Sequence, residues 1–182
     1  MRSQGVEKRT DYYPNGSVER ESEYRNGLRE GLTREYYGNG ILKSEFHYQN
    51  DRLNGISRWY YENGAVKREA NYWNGRLNGI LRAYSPEGSL KEQWSFKDGK
   101  LDGACEIYYE SGALKYELNF KNDKQEGIGK KFYENGRLSE VANYKNDRQE
   151  GLTYLYDEKG KLLCIDAYSN GVRIYREKKD ST

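Results

Sequence analysis

The chain has 182 residues, room for one ordinary domain, and 19 tyrosines carry much of its 35% hydrophobic share. Leu, Ile, Val and Phe together make up under a fifth of it, which argues against a large aliphatic interior. The formal charge is only +2, from 31 basic and 29 acidic residues, so neither a polybasic nucleic-acid binder nor an acidic tail is expected.

No apolar run is long enough to span a bilayer, and Met1, Arg2 and Ser3 lead into polar sequence with no apolar signal segment. The expectation is a cytoplasmic protein, the alternative being a secreted or periplasmic one whose signal has been removed. Cys105 and Cys164 show no CxxC spacing, and His47 is the one histidine, so neither a metal site nor a cofactor is expected. Residues 1–11 read as an N-terminal cap or tail, residues 12–175 as a single repeat array, and residues 176–182 as a charged C-terminal tail.

The repeat is the dominant feature. Gly16, Gly40, Gly64, Gly88, Gly112, Gly136 and Gly160 are each 24 residues apart. A second series, Gly31, Gly55, Gly79, Gly103, Gly127 and Gly151, keeps the same step, and a third runs Gly27, Asp51, Gly75, Gly99, Asp123, Asp147 and Gly171. Each unit reads as a glycine, an apolar residue, a short alternating run ending in Tyr-Tyr, a tight turn ending in glycine, then an alternating run ending in an aromatic. In the unit around Ala65–Tyr72 the apolar positions fall at 66, 70 and 72, a period of two between closely spaced glycines, which predicts strands and not helices. The array is therefore expected to be all-β: an elongated, single-layer, twisted antiparallel sheet of successive 24-residue β-hairpins.

The corner residue before glycine is Asn15, Asn39, Asn63, Glu87, Ser111, Asn135 or Lys159, and Glu or Lys suits positive φ poorly. Pro14 and Pro86 stand two before the glycine, where a type I turn favours proline. A three-residue loop with a left-handed glycine follows. It predicts pairing of Tyr61 with Ala65, Tyr60 with Val66, Trp59 with Lys67, Arg58 with Arg68, Ser57 with Glu69 and Ile56 with Ala70. Ile56, Tyr60, Val66, Ala70 and Tyr72 would then share one apolar face. The other face would set Glu35 against Lys43 and Ile107 against Lys115, with a lysine column beside glutamates 45, 69 and 117. Cys105 would lie on that polar face and Cys164 on the other, opposite Tyr154.

The run Tyr60-Tyr61-Glu62-Asn63-Gly64, followed by Asn71-Tyr72-Trp73-Asn74-Gly75-Arg76-Leu77-Asn78-Gly79, resembles the MORN repeat variant of bacterial YwqK-like antitoxin proteins. The resemblance covers about residues 12 to 175. It implies a sheet of successive hairpins and, for the bacterial relatives, a role in binding and neutralising a toxin. Eukaryotic MORN proteins are similarly associated with membrane tethering, lipid contact, dimerisation and scaffolding. The repeat motif brings no catalytic residue with it.

Carboxylates recur in every unit opposite basic residues, as a solvated ladder does and a single catalytic pair does not. The glycines lead into strands, not onto helix N-termini, so they are not phosphate cradles. The chain is expected to be no enzyme and to act by binding another protein, a toxin being the specific case. A lipid surface and self-association are the alternative partners; nucleic acid is not expected. The expected contact surface is the stripe of second tyrosines with Trp59, because rigid aromatics lose little entropy when immobilised. Its members are Tyr37, Trp59, Tyr61, Tyr109 and Tyr133, fringed by Lys43, Lys67 and Lys115.

Overall fold

The structure, a computed structural model, describes residues 5–179. Among them every regular element is a strand, and the strands fall into two compact units, each an antiparallel meander. The first unit runs to Ser89 and takes in Lys97–Gly99. It holds β1 (Glu7–Tyr12), β2 (Val18–Arg25), β3 (Leu28–Tyr36), β4 (Leu42–Gln49), the two-residue β5 (Arg52–Leu53), β6 (Gly55–Tyr60), β7 (Val66–Trp73) and β8 (Arg76–Tyr84). The second holds β9 (Leu90–Lys97) up to Phe96, β10 (Lys100–Tyr108), β11 (Leu114–Lys121), β12 (Lys124–Gln125), β13 (Gly127–Phe132), β14 (Leu138–Lys145), β15 (Arg148–Gln149), β16 (Gly151–Tyr156), β17 (Leu162–Ser169) and β18 (Val172–Lys178). The all-β hairpin architecture is the one the glycine spacing predicts.

The three-residue corner forms as expected. The Tyr61 N–H donates to the Ala65 carbonyl at 2.8 Å, the Gly64 N–H donates to the Tyr61 carbonyl at 2.9 Å, and Gly64 takes φ +83°. The register beyond the corner differs from the expected one. Tyr60 pairs with Val66, but Trp59 pairs with Arg68, because Lys67 is an extra residue in a β-bulge. Arg58 therefore meets Glu69, Ser57 meets Ala70 and Ile56 meets Asn71. The same bulge sets Glu35 opposite Ser44 instead of Lys43, and Ile107 opposite Tyr116 instead of Lys115. The reason is electrostatic and steric. The expected register would have placed Arg58 against Arg68 and Glu69 against Ser57, whereas the bulge brings Arg58 Nε to 2.8 Å from Glu69 Oε2 and buries Ser57 beside Ala70.

A one-residue shift exchanges faces, so the single apolar face expected for Ile56, Ala70 and Tyr72 is split. Ser57, Trp59, Ala70 and Tyr72 lie on one face, where the small central side chains are buried; Ser22, Thr33, Ser44 and Leu81 continue it in the first unit. Ile56 lies on the other with Arg58, Glu69 and Asn71. The two cysteines are likewise corrected: Cys105 pairs with Leu118 and Cys164 with Leu155, both on the small-residue face and both buried. Burial pushes the Cys105 thiol pKa up, against a hydrogen bond from the Ser95 backbone that lowers it.

A second kind of corner ties each hairpin to the preceding one. Asn74 and Gly75 form a two-residue turn with φ +49° and +82°, and the Gly75 N–H donates to the Leu53 carbonyl at 2.8 Å. Where aspartate takes the glycine place, the side chain offsets the cost of positive φ. Oδ1 of Asp51, Asp123 and Asp147 accepts from the N–H of Arg29, Leu101 and Gln125 at 3.0, 2.8 and 2.7 Å. The residue at position 71 bridges the next irregularity: Asn71 Nδ2 donates to the Asn78 carbonyl at 2.9 Å, and His47 Nδ1 sits 3.0 Å from the Ile56 carbonyl in the same role. Gly79 follows with φ +110°, and a Cβ there would lie 3.1 Å from Asn71 Nδ2 and 3.4 Å from its Cβ. Gly79→Ala is expected to cost about 1–3 kcal/mol through backbone strain, read as a lower midpoint in urea unfolding.

The C-terminal end is closed by an ion pair. Asp166 occupies the buried face and is 1% exposed; Arg176 Nε and Nη2 each donate to its carboxylate at 2.6 Å, and Arg173 Nη1 stands 3.7 Å away. The Arg176 hydrogen bond, against desolvation, holds the Asp166 carboxyl below the usual carboxylate range. A depressed native pKa makes this contribution complete above the ordinary value near 4 and lost as pH falls through the native one. Asp166→Asn is therefore expected to lower Tm at pH 7, and the difference from wild type should shrink as the pH of the melt is taken down through the acid range.

Candidate binding surface

The second tyrosine of each pair ends the first arm of a hairpin and starts its corner. Its phenol reaches forward one repeat. Tyr37 Oη donates to the Tyr60 carbonyl at 2.7 Å, Tyr61 to Tyr84 at 2.8 Å, Tyr109 to Phe132 at 2.7 Å and Tyr133 to Tyr156 at 2.7 Å. The lysine six residues on covers the ring: Lys43 Nζ lies 6.0 Å from the Tyr37 centroid, Lys67 5.4 Å from Tyr61 and Lys115 5.2 Å from Tyr109. These are the bulge lysines, so one irregularity supplies both the register shift and the cation. The geometry pairs tyrosine with lysine twice in the first unit and once in the second, where the latch of Tyr133 also lies. Trp59 stands apart, on the small-residue face, edge-on to Phe46 at 5.4 Å and under Arg68 at 4.9 Å.

The opposite face carries an ordered row of charge. In the first unit Glu21, Arg34, Glu45, Arg58, Glu69 and Arg82 stand side by side on successive strands. Arg34 reaches Glu45 at 3.0 Å, Arg58 reaches Glu69 at 2.8 Å and Arg82 reaches Glu69 at 3.9 Å. The glutamates 45 and 69 thus pair with arginines of adjacent strands instead of the expected lysine column. First tyrosines lie next to this row. Tyr36 Oη donates to Glu21 Oε2 at 2.8 Å, and burial followed by that bond raises its pKa; burial also raises that of Tyr60.

In the second unit Glu106 stands opposite Glu117, Lys130 Nζ lies 2.8 Å from Glu117 Oε1, and beyond Lys130 the row changes character. Val141 follows Lys130, Tyr154 follows Val141 and Ile165 follows Tyr154. Beside the row, at one repeat position, stand aliphatic side chains left open to solvent: Ile56 (41% exposed) and Ile80 (39%) in the first unit, Ile128 (53%) and Leu152 (48%) in the second. Sequence reasoning placed this position in the core, because the register was one residue off. The legible signal was an aliphatic residue recurring directly after the second glycine series.

The chain matches the MORN repeat variant family over residues 8–26, 29–50, 53–74, 77–98, 101–122 and 125–146. It belongs to that family. MORN repeats are binding and scaffold repeats, not catalytic ones. No curated protein matches the chain. Among the described residues no helix is long and apolar enough to cross a membrane, and no group of three His, Cys, Asp or Glu is placed to hold a metal.

The tyrosine latches have a separable structural value. Tyr61→Phe and Tyr109→Phe each remove one hydroxyl and leave the carbonyl of the next repeat without its donor. Each is expected to cost about 1 kcal/mol in chemical unfolding, and the losses should add, since the two residues lie in different units.

Proposed function

We propose that this MORN repeat protein is a non-enzymatic scaffold that binds another protein along its ladder face. The observation that carries the reading is the aliphatic column. Ile56 and Ile80 recur at one repeat position, stay open to solvent and sit beside the alternating Arg–Glu row. Apolar anchors with a fixed polar surround are what a protein partner uses, the anchors supplying affinity and the charges supplying register. Each unit offers tyrosine–lysine pairs as a further contact surface of the proposal, Tyr37–Lys43 and Tyr61–Lys67 in the first and Tyr109–Lys115 with Tyr133 in the second; Trp59, on the small-residue face, is not part of it. Their rings are half-buried and rigidly held, which keeps the entropy cost of contact low.

The specific role proposed is neutralisation of a toxin, after the YwqK-like proteins that the repeat resembles. A lipid-binding reading is weaker, because each arginine of the row has a glutamate beside it and polybasic attraction needs uncompensated cations. The test is co-purification with the product of the adjacent gene and rescue of cells expressing that product. The double variant Ile56→Ser/Ile80→Ser is expected to lose co-purification and rescue while keeping the wild-type Tm within a few degrees. Retained binding by this variant would exclude the ladder face, and salt-sensitive flotation with anionic liposomes instead of protein capture would favour the lipid reading.

A further inference from the structure

The second unit carries one row whose composition differs in kind from its neighbours. Reading across β13, β14, β16, β17 and β18, directly opposed residues are Lys130, Val141, Tyr154, Ile165 and Glu177. It is a cation, three apolar side chains and an anion. One level along the strands, Leu152, Ala167 and Tyr175 are opposed on the same face, with Ile128 on β13 and the exposed Asn143 opposite it on β14. Val141, Tyr154, Ile165 and Ala167 are half-exposed, while Ile128, Leu152 and Tyr175 are more than 45% exposed. In the first unit the corresponding row consists of charges of alternating sign, so the apolar stretch is a local departure and not a demand of the repeat.

This row is complementary to itself when reversed. A two-fold axis parallel to the strands, between two copies packed face to face, sends β13 onto the other copy's β18, β14 onto β17 and β16 onto itself. Lys130 then faces Glu177, Val141 faces Ile165, Tyr154 faces Tyr154, Ile128 faces Tyr175 and Leu152 faces Leu152. Each end charge already has a neighbour in its own chain, Glu117 for Lys130 and Lys179 for Glu177. Stacking the ends gives the sequence Glu117, Lys130, Glu177, Lys179, in which signs alternate across the contact. A partner of any other kind has to match this antisymmetry by its own sequence; a second copy does so by symmetry.

We propose that this face binds a second copy of the chain, through the row from Lys130 to Glu177 about a two-fold axis parallel to the strands. Aligned sheets pack about 10 Å apart, which suits the interdigitation of Val141, Tyr154 and Ile165 with their mates. The contact is modest in size. Five strands at about 4.8 Å and the two side-chain rows outline roughly 300 Å² per copy, below the standard-size class, so the dimer is reversible and forms in a concentration-dependent way.

Sedimentation velocity on the full chain over a concentration series tests it. The weight-average mass is expected to rise from the 21.4 kDa of one chain toward twice that value. The variant Val141→Glu/Tyr154→Arg/Ile165→Gln gives the row the charges of the first unit and, next to Glu177, the residue type that Gln93 has at the equivalent repeat position, so no like charges are opposed; it is expected to fold, and to remain a monomer. Leu152→Glu, at a self-opposed position, is expected to raise Kd by at least about tenfold and stands in for the triple variant should that one unfold. Ile80→Glu, at the same repeat position in the other unit, should leave dimerisation unchanged. A wild-type chain that stays monomeric throughout the series overturns the proposal, as does a folded triple variant that dimerises like wild type. A monomeric wild type whose triple variant loses the co-purified partner assigns the face to that partner and also overturns it. The Ile56→Ser/Ile80→Ser result is independent of all of these.

Discussion

Each hairpin of this protein is held by bonds that span one repeat, and the rest of the structure depends on them. The corner N–H of Gly75 binds a carbonyl 22 residues back, and the phenol of Tyr61 binds a carbonyl 23 residues ahead. A 24-residue hairpin is too small to bury its own apolar side chains, so its stability lies in the interface with its neighbours. Both bonds require the spacing to be held to the residue. That is why glycine or aspartate, each able to occupy positive φ there, recurs with no drift in interval, and why the aspartates add a second bond from their carboxylates.

The two faces divide the work that a globular core would do. On one, side chains as small as Ser57 and Ala70 are fully buried on the face that also carries the rings of Phe46 and Trp59. On the other, charges are partly exposed, and a single exposed pair contributes little. The value of the alternating row is in what it forbids. Slipping one strand by two residues preserves the faces but breaks the Arg–Glu matches on both of its sides, so the row penalises misregister where the faces alone do not.

The architecture, the strand periodicity and the glycine-bearing corner were legible because each follows from local spacing and backbone chemistry. Register past the corner was not. The bulge at Lys67 leaves no mark in its own residue type, and its signature is non-local: only with the extra residue does Arg58 leave Arg68 for Glu69. The same slip hid Ile56 among the core residues and put Cys105 on the wrong face. The tyrosine stripe was visible as a pattern, but not its engagement. Whether a phenol meets solvent or a carbonyl depends on where the next hairpin lies, which the spacing of one chain segment does not carry.

In a repeat of this kind, uniformity and departure have different causes. Whatever recurs along the array, such as the corner glycines and, except at Ser85 and Asp157, the latch tyrosines, is already used by the stacking, so recurrence alone says nothing of what the surface meets. A departure that the stacking does not need is more informative. Replacing the ionic row with Val141, Tyr154 and Ile165 gives up cross-strand attractions and leaves apolar area in water at about 25 cal/mol per Å². Cross-strand contact of Val141, Tyr154 and Ile165 offsets part of that cost, but the equivalent positions of the first unit carry charges, so the repeat itself does not call for an apolar row. The row is therefore the place in the second unit where a covering surface would remove the most apolar area from water.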